Sequence, residues 1–175
     1  MINSKSSATF WQIKAFAIYS VFYAHLEWSG EPVAGHIIYK SIGCIGVPLF
    51  MLMAGYFDGK SKASMSQKAK RLLIPLLIWG SLTYCLKLLL DPSKGMASHI
   101  LDYLKWVYGC GTWYYFIAVL FWCQLLVRFV NGWGLALLGV GSMIMTSIDV
   151  VPYNEIITPY NNPFNFIIYF VIGRE

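Results

Sequence analysis

Long apolar segments alternate with short polar ones along the whole chain. About 20 mostly apolar residues are needed for a helix to cross the hydrocarbon core of a bilayer, and runs near that length follow one another here. They lie at residues 9–26, 36–57, 72–90, 106–127 and 133–148, with a shorter sixth run at 163–173. The pattern predicts an all-α protein, a polytopic transmembrane helical bundle of five to six spans.

The composition favours a bilayer over water as the solvent. Hydrophobic residues make up 58% of the 175 residues and charged residues 12%, and the mean hydropathy is +0.58. A soluble domain is about 45–50% apolar and about 25% charged, and one of this size could not bury so much apolar surface in a single core. A soluble globular protein, a disordered chain and a nucleic-acid-binding module are excluded, despite the net charge of +5.

The distribution of Lys and Arg predicts the orientation. The densest basic run lies between the second and third apolar segments. Cytoplasmic loops of membrane proteins carry an excess of Lys and Arg, so this loop is predicted to be cytoplasmic, and alternation places the N-terminus in the cytoplasm as well. The run contains Lys60, Lys62, Lys68, Lys70 and Arg71.

The cysteines and histidines do not indicate a metal site. The four cysteines form no CxxC pair, and three lie in apolar runs, where a thiol acts as a small hydrophobic group. The histidines are too scattered in sequence to suggest zinc. These residues are Cys44, Cys85, Cys110 and Cys123, and His25, His36 and His99.

Lys14 and His25 are ionisable groups within the first apolar segment, and such groups in a membrane are functional candidates. They are eleven residues apart, close to three helical turns, so they share a helix face at a separation of roughly 16 Å. Both can therefore line one groove without touching. The alternatives are that Lys14 reaches the inner headgroups and that His25 is an interfacial residue.

Lys68 and Arg71 form a second candidate site ahead of the third segment. Their spacing of three residues places them on one face of a helix, and such a pair at a cytoplasmic opening suits a phosphate-bearing ligand. The alternative is that they serve topology only, because any cytoplasmic loop is expected to be basic.

Several motifs resemble those of the acyltransferase 3 family of integral membrane acyltransferases. Lys14 and His25 stand where that family has an Arg followed eleven residues later by a His. The segment 46–56, Gly-Val-Pro-Leu-Phe-Met-Leu-Met-Ala-Gly-Tyr, resembles its second-helix motif. Lys68 and Arg71 resemble its R-x-x-R motif, and two aromatic segments, 112–115 and 168–173, resemble later ones.

The resemblance implies the function of a membrane enzyme that O-acylates surface polysaccharides or their lipid-linked precursors in a bacterial inner membrane. His25 matches the catalytic histidine, a general base for a sugar hydroxyl. Lys14, Lys68 and Arg71 match basic positions that would bind an acyl-CoA donor, most often acetyl-CoA, or stabilise an oxyanion. No bound cofactor and no metal are expected; the expected partners are the bilayer, the donor and a carbohydrate acceptor.

Three departures from the family pattern qualify this interpretation. Lys14 and Lys68 replace Arg, and Ala54 replaces a Ser. Family domains have about ten spans, so residues 1–175 are interpreted as one acyltransferase-3-like membrane domain, its N-terminal portion, to which further C-terminal helices or a partner chain would contribute. The alternatives are an inactive truncated remnant and a small transporter or channel subunit. A transporter would place polar residues at the middle of several spans, whereas the middles of spans two to five are nearly free of ionisable groups.

Overall fold

The computed structural model describes residues 4–24, 33–90, 96–108, 115–130, 132–148 and 158–175. These residues form helices joined by short connections and contain no β-strand, which confirms the all-α prediction. The helices are α1 (Ser4–Ala24), α2 (Val33–Lys60), α3 (Met65–Leu90), α4 (Met96–Tyr108), α5 (Tyr115–Phe129), α6 (Gly132–Ser147) and α7 (Ile167–Arg174), with a 3-10 turn at Pro163–Asn165 before α7.

Helix α3 has a well-defined N-terminus. The Ser64 hydroxyl accepts a hydrogen bond from the Gln67 backbone N–H at 3.3 Å, and the Gln67 side chain accepts one from the Ser64 N–H at 3.0 Å. This reciprocal capping box satisfies two backbone donors that a helix start leaves unpaired. The basic loop therefore leads into α3 through a fixed turn.

Helix α3 is also, within the part of the chain that the structure describes, the one helix of sufficient length and apolarity to cross a membrane. Most of its apolar side chains face outward, among them Ile78 and Leu82. Helices α5 and α6 are apolar but shorter. The number of spans stays a prediction, as does the cytoplasmic N-terminus.

The fourth predicted segment, 106–127, does not correspond to one described helix. Helix α4 ends at Tyr108, and α5 begins at Tyr115. Residues 109–114, between these two helices, lie outside the described residues. At 13 residues, α4 extends roughly 20 Å, less than a bilayer core.

Helix α4 packs against α3 through polar contacts that the sequence analysis did not predict. The Ser81 and Tyr103 hydroxyl oxygens lie 2.7 Å apart, and the Trp106 indole N–H donates to the Thr83 hydroxyl at 3.1 Å. Gly80 provides the space, because a Cβ there would lie 3.2 Å from Val107. Hydrogen bonds between helices stabilise packing in an apolar environment.

Helices α1 and α2 form an antiparallel pair. Phe10 near the start of α1 contacts Phe57 near the end of α2, with ring centroids 5.3 Å apart. Toward the other end, a Cβ at Gly46 would lie 2.6 Å from the Val21 side chain. The glycine lets the two helices approach closely at this point.

Helices α2 and α7 approach even more closely, at backbone distance. A Cβ at Gly55 would overlap the Phe170 carbonyl oxygen, and one at Gly173 would overlap the Leu52 carbonyl oxygen. Gly59, one turn beyond Gly55, faces Arg174 in the same way. The Gly55-x-x-x-Gly59 spacing is typical of helix contacts in membranes, where small residues allow the backbones to meet.

The largest buried cluster lies where α2, α5, α6 and α7 meet. Its members are apolar, and Met51, Val119, Cys123, Ile167 and Phe170 are fully buried. Since α7 supplies three of the cluster's residues although it has only eight, this short helix is largely enclosed by the other three.

A polar network holds the turn that precedes α7. The Ser142 hydroxyl of α6 donates to the Asn165 side chain at 2.8 Å, and the Asn165 amide donates to the Pro159 carbonyl at 3.0 Å. Asn162 caps the 3-10 turn by accepting from the Phe164 N–H at 3.1 Å. The network fixes the position at which α7 enters the bundle.

We predict that Gly173→Ala destabilises the protein. Its methyl group would overlap backbone atoms of Leu52, which cannot turn aside as a side chain can, and overpacking costs about 1–3 kcal/mol or more. Gly141→Ala is the matched control, because nothing lies within 4 Å of a Cβ there. It should be neutral or raise stability by up to about 1 kcal/mol through helix propensity. Thermal unfolding in detergent measures both; equal stabilities would contradict the α2–α7 contact.

Candidate active site

A cavity of about 370 Å³ lies between α1, α2 and α5. This volume is within the range of small-molecule sites, about 300–1,000 Å³. The lining is almost entirely apolar and aromatic, with a single charged side chain. The lining residues are Phe10, Trp11, Lys14, Phe50, Met53, Ala54, Phe57, Phe116 and Leu120.

Lys14 is that charged side chain. Its ammonium group lies 5.2 Å from the centroid of the Trp11 ring, one turn earlier on α1, where a cation–π contact is favourable. Lys14 remains exposed, so its charge is available to a ligand. The first of the predicted site residues therefore lies at the edge of an apolar cavity.

Aromatic rings form two of the cavity's walls. Phe10 contacts the rings of Tyr56 and Phe57, at centroid distances of 4.9 Å and 5.3 Å. At the other end, Phe50 and Phe116 meet edge to face at 5.7 Å. Such aromatic pairs are favourable beyond the area they bury, so they fix the spacing of the helices around the cavity.

Lys68 lies outside the cavity lining and is paired with Asp58. Its ammonium group is 2.5 Å from the Asp58 carboxylate, and the two side chains are only 11% and 5% exposed. The Arg174 guanidinium lies 3.9 Å from the other carboxylate oxygen and donates to the Val127 carbonyl at 3.0 Å. The carboxylate of Asp58 thus links the ends of α2, α3 and α7, and Arg174 extends the link to α5.

Arg71 stands in contrast to Lys68. Its side chain is exposed and has no ion pair or hydrogen bond with any residue that the structure describes. The guanidinium offers five donors in a rigid fork suited to phosphate. Of the predicted basic pair, therefore, Lys68 is held by a carboxylate and Arg71 is accessible.

His25 lies outside the described residues, directly after the last residue of α1. The structure therefore gives the position of Lys14 on α1 and not that of the histidine. Lys14 borders the cavity, whereas Lys68 and Arg71 are on α3 and do not line it.

The role of Asp58 was not predicted from the sequence. A signal was present, because Asp58 is the only acidic residue in the segment 58–71, which contains five cations. A single carboxylate among many cations in an apolar protein is a plausible partner for one of them. The involvement of Arg174 had no comparable signal, because it depends on the contact between α2 and α7.

Comparison with known proteins decides the family. The model of the acyltransferase 3 family, described as an acyltransferase domain, matches residues 12–173. The chain belongs to this family. The family is typically membrane-associated.

One relative of this chain is the nodulation protein NolL of Mesorhizobium japonicum. It is 28% identical over 136 residues, which cover 72% of this chain and 36% of NolL. The chain therefore spans about a third of the length of this relative. No solved structure matches the chain.

We predict that Asp58→Ala lowers the stability of the protein strongly. Removing one partner of a buried ion pair costs about 3–5 kcal/mol, because the remaining charge is left unpaired. The double variant Asp58→Ala with Lys68→Met should recover part of the loss. Arg71→Met, at an exposed position, should change stability by no more than about 0.5 kcal/mol.

Chemical or thermal unfolding of the four purified proteins measures these differences. If Asp58→Ala and Arg71→Met were equally mild, or if the double variant were no more stable than Asp58→Ala, the ion pair would not hold the helix ends together.

Proposed function

We propose that this acyltransferase moves an acyl group, acetyl by family resemblance, from acyl-CoA to a sugar hydroxyl of a surface polysaccharide or its lipid-linked precursor. The single observation that carries the proposal is the position of Lys14 at the edge of an apolar cavity of about 370 Å³ in a chain of this family. An acyl-CoA combines a long, weakly polar arm with a polyanionic end, and the site combines an apolar cavity with one cation, Lys14, at its edge.

The cations have separate roles in the proposal. Lys14 interacts with the donor at the cavity. Arg71, exposed and unpaired among the described residues, binds phosphate oxygens, with Lys70 beside it and also exposed. Lys68 contributes less to phosphate binding than its spacing predicts, because Asp58 already neutralises it. Its role is to hold the start of α3, and with it Arg71, near the end of α2.

His25 performs the chemistry. The neutral imidazole accepts the proton of the sugar hydroxyl as its oxygen attacks the thioester carbonyl carbon. A new C–O bond forms, the C–S bond breaks, and the sulfur of CoA leaves as a thiolate that takes the proton from the imidazolium. Without such a base, a neutral hydroxyl is a weak nucleophile.

The proposal places the protein across a bacterial inner membrane with its N-terminus and the basic loop in the cytoplasm. Support comes from the exposed apolar surface of α3 and from the excess of cations in the loop that precedes it. The donor then approaches Lys14 and Arg71 from the cytoplasm. The acceptor approaches the His25 end of α1, which lies toward the opposite side.

NolL is much longer than the part of it that this chain matches. Because the chain spans 36% of NolL, we propose that additional helices, in the same polypeptide or in a partner chain, complete the acceptor side of the site. The described cavity, formed by α1, α2 and α5, then belongs to the donor side.

We predict that His25→Ala abolishes acyl transfer while leaving donor binding intact. Loss of a general base lowers the rate of transfer by roughly 10²–10⁴-fold. Donor binding should be unaffected, because the residues that line the cavity are unchanged. Transfer of labelled acetyl groups to the polysaccharide of a strain that depends on this protein measures the first effect. Binding of radiolabelled CoA to membranes measures the second.

The matched control is His99→Ala, which removes a histidine from α4 and should leave transfer unchanged. Undiminished transfer in His25→Ala, at equal protein level, would contradict the catalytic assignment.

A further inference from the structure

The opening of the cavity is marked by the lining residues that remain exposed. Most of the lining side chains are buried or half-buried, whereas those of Trp11, Lys14 and Phe57 are exposed. These three residues lie on α1 and near the end of α2. A side chain that lines a cavity and also stays exposed is one that a ligand passes on its way in. This end of the cavity is therefore its opening.

Trp11 presents the largest aromatic ring at this opening. It is 66% exposed, although it belongs to the lining of the cavity. The Lys14 ammonium group lies 5.2 Å from the centroid of its ring, where a cation and an aromatic face attract each other. The opening thus combines a flat aromatic surface with a positive charge directly beside it.

This combination suits a part of acyl-CoA that the contacts described above leave without a partner. The pantetheine arm suits the apolar cavity, and the phosphates suit the cations. The remaining part is the adenine ring, and a base stacks favourably on an aromatic side chain because every base has a flat π face. A single ribose separates the base of CoA from its phosphates. A ring and a cation that are neighbours can therefore bind the base and a phosphate together.

We propose that Trp11 stacks against the adenine ring of the acyl-CoA donor at the opening of the cavity, with Lys14 beside the adjoining phosphates. The inference rests on the proposed function, because it takes acyl-CoA as the ligand of the cavity. It adds a donor-binding residue that neither the motifs nor the basic residues indicate. The consequence is donor specificity: a thioester of phosphopantetheine has the same arm but no adenine, so it binds more weakly than the thioester of CoA.

The alternative role of an exposed tryptophan in a membrane protein is to anchor its helix at the membrane surface. Trp133 at the start of α6 provides the comparison, because it is 63% exposed but does not line the cavity. An anchoring ring does not distinguish between two soluble ligands. A stacking ring strengthens the binding of the ligand that has a base and leaves the binding of the ligand without one unchanged.

The test measures the affinities of the full chain in lipid nanodiscs for CoA and for 4′-phosphopantetheine by isothermal titration calorimetry. We expect the wild type to prefer CoA by at least about 5-fold, and Trp11→Leu to bind CoA about 5- to 20-fold more weakly, the lower part of the range for stacking of a base on an aromatic ring. The affinity of Trp11→Leu for 4′-phosphopantetheine should equal that of the wild type. Trp11→Phe, which keeps an aromatic ring, should bind CoA more tightly than Trp11→Leu. Trp133→Leu is the matched control and should bind both ligands like the wild type.

The outcomes separate this inference from the proposed function. If the wild type binds CoA but binds 4′-phosphopantetheine equally well, the role of Trp11 is overturned and the donor site stands; this result needs no variant, so it does not depend on the folding of Trp11→Leu. Unchanged CoA binding in Trp11→Leu, an equal loss for both ligands, or an equal loss in Trp11→Phe also overturns stacking. An equal loss in Trp133→Leu overturns it in favour of membrane anchoring. If CoA does not bind the wild type, the proposed function itself fails, and the inference with it.

Discussion

The close approach of α2 and α7 is the constraint on which the rest of the structure depends. Gly55 and Gly173 let the two backbones meet, and this contact brings Arg174 within 3.9 Å of Asp58. Helix α2 has one side against α7 and another against α1 and the cavity. A displacement of α2 at the glycine contact would therefore move Met53 and Ala54, which line the cavity. Small residues at one helix contact thus determine the shape of a site on the other side of the same helix.

Asp58 complements the glycines by fixing the ends of the same helices. The buried pair with Lys68 does not need to add net stability to be useful, because burying charges is costly. The carboxylate contacts both Lys68 and Arg174, so it joins the ends of α2, α3 and α7. As a consequence, Lys68 and Arg71, three residues apart, differ in what they contact. Lys68 is used inside the protein, and Arg71 remains available to a ligand.

The sequence predicts the helical class and the family because both depend on local patterns. Apolar runs of spanning length and motifs such as the segment 46–56 are visible without a fold. The role of Asp58 is not visible in this way, because it arises from contacts between helices distant in sequence. Residues 109–114 of the predicted fourth segment, 106–127, lie outside the described residues, so that segment stays a prediction. His25 and Lys14 were predicted as one site, and the structure describes Lys14 only.

Photoaffinity labelling tests most directly whether the cavity is the donor site. An acyl-CoA that carries a photoreactive group in its pantetheine arm would be added to inside-out membrane vesicles, and the labelled peptides would be identified by mass spectrometry. We expect labelling within 50–57 and 116–120, the cavity-lining parts of α2 and α5, suppressed by excess CoA and absent from sealed right-side-out vesicles. Labelling confined to other segments, or equal labelling from both sides of the membrane, would contradict the account.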